Sequence, residues 1–129
     1  MKYISKKITH DGRTFDSKKE GERYLELRQM EREGLIGHFE CQPVFKFFAG
    51  QNQITGLYNE KQRVYTADFA YFTTEKHPEG KRRVIEEVKP RKKATAKNGM
   101  KKDKALIDAA SSLRISVCEA IYGKVDIIY

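Results

Sequence analysis

Two stretches decide the architecture: Val64–Phe72, VYTADFAYF, and Arg83–Pro90, RVIEEVKP. Both alternate with period two, the spacing of a β-strand whose successive side chains point to opposite faces. In the first, Val64, Thr66, Asp68, Ala70 and Phe72 share one side, and Tyr65, Ala67, Phe69 and Tyr71 share the other. In the second, Ile85, Glu87 and Lys89 face one way and Val84, Glu86 and Val88 the other, until Pro90 ends the run. Turn signals at His77–Gly80 join the two, so pairing as a hairpin is natural.

Upstream lies a helix. Asp16 or Ser17 can cap it, and Ser17 with Glu20 has the spacing of a capping box. The helix is expected from about Lys18 to Glu33, stopping at Gly34, with Tyr24, Leu27 and Met30 or Glu31 at helical spacing and Leu25 flanking its apolar face. Before it come an extended arm with Tyr3, Ile4 and Ile8, and a turn at His10–Gly12. After it, Phe39–Phe48 reads as a strand made irregular by Gln42–Pro43, with a loop or hairpin at Gly50–Gly56. Beyond Pro90, Arg91–Lys104 reads as a mobile basic loop, centred on about 90–102, that becomes helical near Lys101. A helix is expected over Lys102–Leu113, with Ala105, Leu106, Ala109, Ala110 and Leu113 as its stripe. A strand follows at Ile115–Ala120, a turn at Tyr122–Lys124, and a last short strand from Val125. Helix, three or four strands, helix, strand is an α/β (α+β) plan. It implies a mixed central sheet of about four to five strands flanked by helices, in one domain spanning the 129 residues.

The formal net charge of +8 favours a polyanionic partner, because each neutralised phosphate releases a condensed counterion. Cys41 and Cys118 sit in no CxxC or Cys/His cluster, which argues against zinc. Isolated cysteines without a signal peptide fit a reducing, cytoplasmic setting. No apolar run approaches the ~20 residues of a membrane span.

A strand with a buried face does not ordinarily carry Asp, Glu and Lys there, since burying charge is costly unless it is paired or metal-bound. Glu87 and Lys89 share a face, and hairpin pairing lets Asp68 converge on Glu87. Two carboxylates held together repel, and a hard dication such as Mg²⁺ between them removes that cost. Such an ion acidifies a bound water and stabilises charge on a phosphate oxygen, while an adjacent lysine orients the water or adds positive charge. The parts suit phosphodiester hydrolysis. The plainer alternative for Glu87 and Lys89 is a surface ion pair of small energetic consequence.

This arrangement resembles the PD-(D/E)xK nuclease superfamily. The chain is also similar to the small phage-encoded proteins of the DUF1064 group. The similarity is carried by Gly12–Leu27 (GRTFDSKKEGERYLEL), Glu40–Phe45 (ECQPVF), Tyr65–Phe69 (YTADF) and Val84–Pro90 (VIEEVKP). The resemblance implies a restriction-endonuclease-like core with Asp68, Glu87 and Lys89 catalytic. It implies that the Val88 carbonyl is a further metal ligand and that Glu20 is a fourth site residue, although a capping role also accounts for Glu20. Ala67 stands where the superfamily pattern has proline. Gln42 serves either the site or the backbone before Pro43. Mg²⁺ is the expected cofactor, with Mn²⁺ able to substitute.

For DNA contact the candidates are Arg91, Lys92, Lys93, Lys97, Lys101 and Lys102, which leave the strand directly after Lys89. The segment lacks aromatics, so it suits backbone contact rather than base stacking. The expected activity is a Mg²⁺-dependent endonuclease selective for DNA structure. By analogy with small resolvases it is a homodimeric Holliday junction resolvase acting on branched DNA in a phage-infected cytoplasm. The alternatives are a flap, nicking or repair nuclease, and a non-catalytic DNA-binding protein on a nuclease fold.

Overall fold

An Asp-Gly pair makes the first turn among the described residues. Asp11 and Gly12 both have positive φ (50° and 76°), the backbone of a tight two-residue hairpin turn. They join strand β1 (Ile8–His10) to β2 (Arg13–Phe15), paired antiparallel with Ile8 opposite Phe15. The structure is a computed structural model that describes residues 7–58, 60–89, 91–95, 101–105 and 109–128, with backbone alone for 91–95 and 101–105. Of the arm expected over the first ten residues, 1–6 lie outside the described residues, as does the strand stop at Pro90, while Ile8–His10 form β1.

Helix α1 (Lys18–Arg32) starts as its sequence dictates: the Ser17 side chain accepts from the Glu20 N–H at 3.1 Å. Past its end, Gly34 takes φ 77° and the chain turns into β3 (Ile36–Cys41). Gln42 and Pro43 break that run. There follow β4 (Val44–Lys46), β5 (Phe48–Ala49) and β6 (Asn52–Gln53), the last two forming a small hairpin. The Val64–Phe72 stretch is two strands, β7 (Val64–Thr66) and β8 (Phe69–Thr73), with Ala67 and Asp68 between them. Strand β9 is Arg83–Val88.

Three expectations for the segment that follows need correction. The basic stretch is not a loop over its described residues. Backbone strands β10 (Arg91–Thr95) and β11 (Lys101–Ala105) pair antiparallel, with Lys93 opposite Asp103. Hydrophobic periodicity does not register such a hairpin, because ladder hydrogen bonds join backbone groups whatever the side chains are. No helix forms over 101–105 for the same reason. Helix α2 (Ala109–Tyr122) instead occupies the place expected for a strand at Ile115–Ala120. Its buried positions Ile115 and Cys118, with partly buried Tyr122, recur at helical spacing, while Leu113 of the expected stripe is 66% exposed. The β-branched pair Ile115 and Val117 imitates a strand locally, and packing overrides that propensity. The chain closes with β12 (Val125–Ile128).

The main sheet has four strands in the order β12-β9-β8-β3. Strand β12 runs parallel to β9, with Val125 opposite Ile85 and Ile127 opposite Glu87. Antiparallel pairing elsewhere follows from bonds such as Asp68 N–H to Glu86 O and Thr73 N–H to Arg82 O. The fold is therefore mixed α+β with a mixed sheet.

Two compact units divide the chain: Met1–Phe39 with Tyr71–Arg83, and Glu40–Ala70 with Val84–Tyr129. In the first, Phe15 stacks at 4.9 Å on Tyr24, whose hydroxyl donates to Asp11 at 2.9 Å, and Leu27 is fully buried. The core of the second gathers Phe45, Phe47, Tyr65, Ala67, Ala70, Ile85, Ile115, Cys118 and Val125. Tyr122 locks onto it, its ring 5.1 Å from that of Phe45 and its hydroxyl donating to Lys46 O at 2.6 Å. Among the described residues no helix is long and apolar enough to cross a membrane.

The contrast along α1 is testable. Leu27→Ala should cost about 2–5 kcal/mol in urea unfolding, as a buried leucine truncation does. Leu25→Ala, at a position 44% exposed, should stay within about 0.5 kcal/mol of wild type.

Candidate active site

The site begins where a strand is interrupted. Between β7 and β8, Ala67 and Asp68 leave the regular ladder, and their backbone groups are held by others. The Ala67 N–H donates to Pro43 O at 3.1 Å, and the Gln42 N–H donates to Asp68 O at 2.8 Å. Gln42 itself sits at φ 53°, a left-handed conformation unusual for a residue with a side chain. The Gln42–Pro43 pair thus serves through its backbone: it clamps the two residues that present the acid.

On its other flank Asp68 meets β9. Its N–H donates to Glu86 O at 3.1 Å, and its Oδ2 accepts from the Val88 N–H at 2.6 Å. In an unbroken antiparallel ladder that Val88 N–H would meet a backbone carbonyl. The carboxylate has taken the carbonyl's place, which fixes Asp68 against the Glu87-Val88-Lys89 strand. The C=O of an extended residue points to the same side as its N–H. The Val88 carbonyl is therefore directed towards the strand that carries Asp68.

Glu87 is 9% exposed. Its Oε1 lies 3.3 Å from Lys89 Nζ, and its Oε2 accepts a hydrogen bond from the Tyr65 hydroxyl. Lys89 is held at the end of β9 by its N–H, which donates to Ile128 O at 2.8 Å. Burial pushes the Tyr65 phenol well above the ordinary tyrosine range; the hydrogen bond to Glu87 and the charges of Glu87, Asp68 and Cys118 add to the shift. Both carboxylates therefore act on one hydroxyl, and the structure brings together Asp68, Glu87, Val88 and Lys89.

The remaining expected residues are placed differently. Glu20 is buried on α1, in the first compact unit, with its N–H on the Ser17 cap. Arg91, Lys92 and Lys93 lie on β10, and Lys101 and Lys102 on β11. Lys97 lies outside the described residues.

Several features are not visible in the sequence. Tyr65 is the hydrogen-bond partner of Glu87, twenty-two positions away, and only tertiary packing joins them. Glu86, on the opposite face of β9, is more deeply buried than Glu87, at 1% exposure. A cleft of about 440 Å³ also opens at Glu87, lined by Lys61, Arg63, Tyr65, Ser111 and Arg114 among others. The signal for part of it is present in the chain, since Lys61 and Arg63 continue the alternation of Tyr65. Nothing in the sequence points to Ser111 and Arg114, because their stretch of α2 lies at the boundary between an expected helix and an expected strand.

The donor set suits a hard dication. Asp68 and Glu87 bring two carboxylates, and Lys89 an ammonium, into a partly dehydrated setting. Mg²⁺ is commonly held by one or two carboxylates, with waters and substrate oxygens completing its shell. Among the described residues no group of three or more His, Cys, Asp or Glu side chains could hold a metal ion. A two-carboxylate site is compatible with that.

The sequence profile of the family described as "Protein of unknown function (DUF1064)" matches residues 1–117, and the chain belongs to that family. No curated protein and no solved structure matches the chain.

The Tyr65–Glu87 bond has a pH signature. A raised folded-state value keeps the phenol protonated in the native protein. Its contribution to stability is complete below about pH 10 and is lost progressively above it, as the unfolded chain's tyrosine ionises. Tyr65→Phe should therefore flatten the alkaline fall in stability seen by urea unfolding, and should cost about 1.5–3 kcal/mol at neutral pH. An unchanged alkaline slope would assign that fall to other groups.

Proposed function

We propose that this DUF1064 chain is a Mg²⁺-dependent DNA endonuclease of the PD-(D/E)xK type. The observation that carries the reading is the seating of Asp68 against Val88 and of Glu87 against Lys89 at one end of two adjoining strands. Asp68 and Glu87 would hold the ion, with the Val88 carbonyl as a further oxygen. Mn²⁺ would be accepted by the same oxygens. When bound, the ion supplies an acidified water and offsets charge on the phosphate. The chain's own groups do the rest. Lys89 places positive charge where the phosphoryl oxygens gain negative charge and can orient the attacking water. Tyr65 and Lys89 together fix the plane of the Glu87 carboxylate. The Val88 N–H does the same for Asp68.

For the substrate we propose branched DNA, with a Holliday junction first among such structures. The basic stretch from Arg91 follows directly on Lys89 and suits contact with the phosphate backbone. Resolving a junction takes two symmetric cuts, which a homodimer provides.

The test is cleavage of a four-way junction and of linear duplex, in Mg²⁺ and in EDTA. The junction should be cut faster, and EDTA should abolish cutting of both. Asp68→Asn keeps an oxygen acceptor for the Val88 N–H while removing the charge, so the variant should fold normally yet cut at least about 10²-fold more slowly. Lys89→Ala should lose about 10²–10³-fold. Equal cutting of the two substrates rejects junction selectivity, and cutting of a flap by a stable monomer favours a repair role. Undiminished cutting by both variants rejects the site. Binding without cutting under every divalent ion makes the chain a binding module.

A further inference from the structure

The cleft at Glu87 is built from two separate parts of the second unit. Lys61 and Arg63 lie on the segment that runs into β7, and both line the cleft together with Tyr65. Ser111 and Arg114 are three residues apart on α2, hence on one helical face. Three cations and a hydroxyl therefore converge on one concavity of about 440 Å³ whose wall includes the Glu87 carboxylate. Bringing the guanidiniums of Arg63 and Arg114 to one concave site costs mutual repulsion. The arrangement becomes favourable when an anion with several oxygens enters it.

Two further features define that anion. Neither Arg63 nor Arg114 forms an ion pair with a carboxylate among the described residues. Both also line an adjoining, mainly apolar pocket of about 290 Å³ with Phe47, Ile54, Leu113 and Val117. That pocket suits the aliphatic stems of the two arginines while their charged heads face water. A guanidinium so anchored presents a planar fork of donors, the geometry that matches phosphate oxygens. Because Glu87 belongs both to the cleft and to the carboxylate pair, whatever threads the cleft passes the reacting groups.

We infer that this cleft is a seat for the phosphate backbone of the DNA strand being cut, with Arg63 and Arg114 as the principal phosphate-binding side chains and Lys61 and Ser111 beside them. The choice of DNA as the polyanion rests on the nuclease reading. The assignment adds a second DNA-binding surface to the basic stretch after Lys89. It also sets a path for the strand, between the segment entering β7 and α2.

The inference is tested by binding, with cleavage suppressed. Fluorescence anisotropy of a labelled four-way junction and of a labelled duplex is measured in EDTA across a salt series with the full chain. Replacing both arginines, Arg63→Ala with Arg114→Ala, should weaken binding about tenfold or more. It should also reduce the slope of log K against log salt by about 1.8, at about 0.9 for each duplex phosphate that is no longer neutralised. Arg63→Lys with Arg114→Lys should keep most of the slope, which separates a weakened grip on phosphate from a damaged fold. Lys81→Ala, a change of one basic residue that does not line the cleft, should leave affinity and slope unchanged. In Mg²⁺ the double alanine variant should raise KM while largely retaining kcat. A wild-type slope in the double alanine variant overturns the inference, and so does an equal loss from Lys81→Ala. If the wild-type chain binds but never cuts, while the double alanine variant loses binding, the nuclease reading falls and the cleft assignment is upheld.

Discussion

A carboxylate standing in for a backbone carbonyl organises the second unit. The Val88 N–H donates to Asp68 Oδ2 at the point where β7 gives way to β8. An N–H in that position must find an acceptor, because an unmet buried donor costs about as much as a lost hydrogen bond. Meeting it with a side chain has two consequences. The strand can bend away after Thr66, so that β7 pairs with β4 (Val44 opposite Thr66) while β8 pairs within the main sheet. The acid is also fixed beside the Glu87-Val88-Lys89 strand. The Gln42–Pro43 break supports the same bend from the other side, its backbone holding Ala67 and Asp68. Two irregularities of sequence, a proline after Gln42 and an aspartate in an otherwise apolar run, are therefore parts of one device.

Around that device the charged groups are held by close neighbours. Glu87 has Lys89 and the Tyr65 hydroxyl, and Asp68 has a backbone N–H. Low dielectric makes each of these interactions stronger than it would be in water, and it raises the cost of leaving a net negative charge. Burial is the main reason the Tyr65 phenol resists ionising, and its hydrogen bond to Glu87 and the charges of Glu87 and Asp68 add to that resistance. The opposing sign is supplied at the cleft wall, where Lys61, Arg63 and Arg114 gather. On the proposed nuclease reading, acids at one end and cations at the other suit a polyanionic substrate.

Much of this was legible in the order of residues. The Ser17 cap, the Asp11-Gly12 turn and the alternation in β8 and β9 are local signals, each set by neighbours a few residues apart. The shared face of Glu87 and Lys89 follows from strand periodicity, and their 3.3 Å approach agrees with it. Local signals failed where pairing or packing decides. The hairpin β10–β11 carries no apolar alternation, so its charges read as a solvated loop. Helix α2 buries Ile115 and Cys118 against a core assembled from distant segments, and the β-branched residues there argued for a strand.

Periodicity and chain chemistry alone determined the mixed α+β class, the first helix with its cap, and the shared face of Glu87 and Lys89, because these depend on local spacings of a few residues. Tertiary structure decided the rest. It moved Tyr65 onto Glu87, put Arg114 across a cleft from Arg63, and gave Gln42–Pro43 its clamping role. Those relations join residues from 22 to about 50 positions apart in the sequence. Contacts of that range form only when strands pair and a core closes, and no local pattern encodes which partner a side chain will then meet.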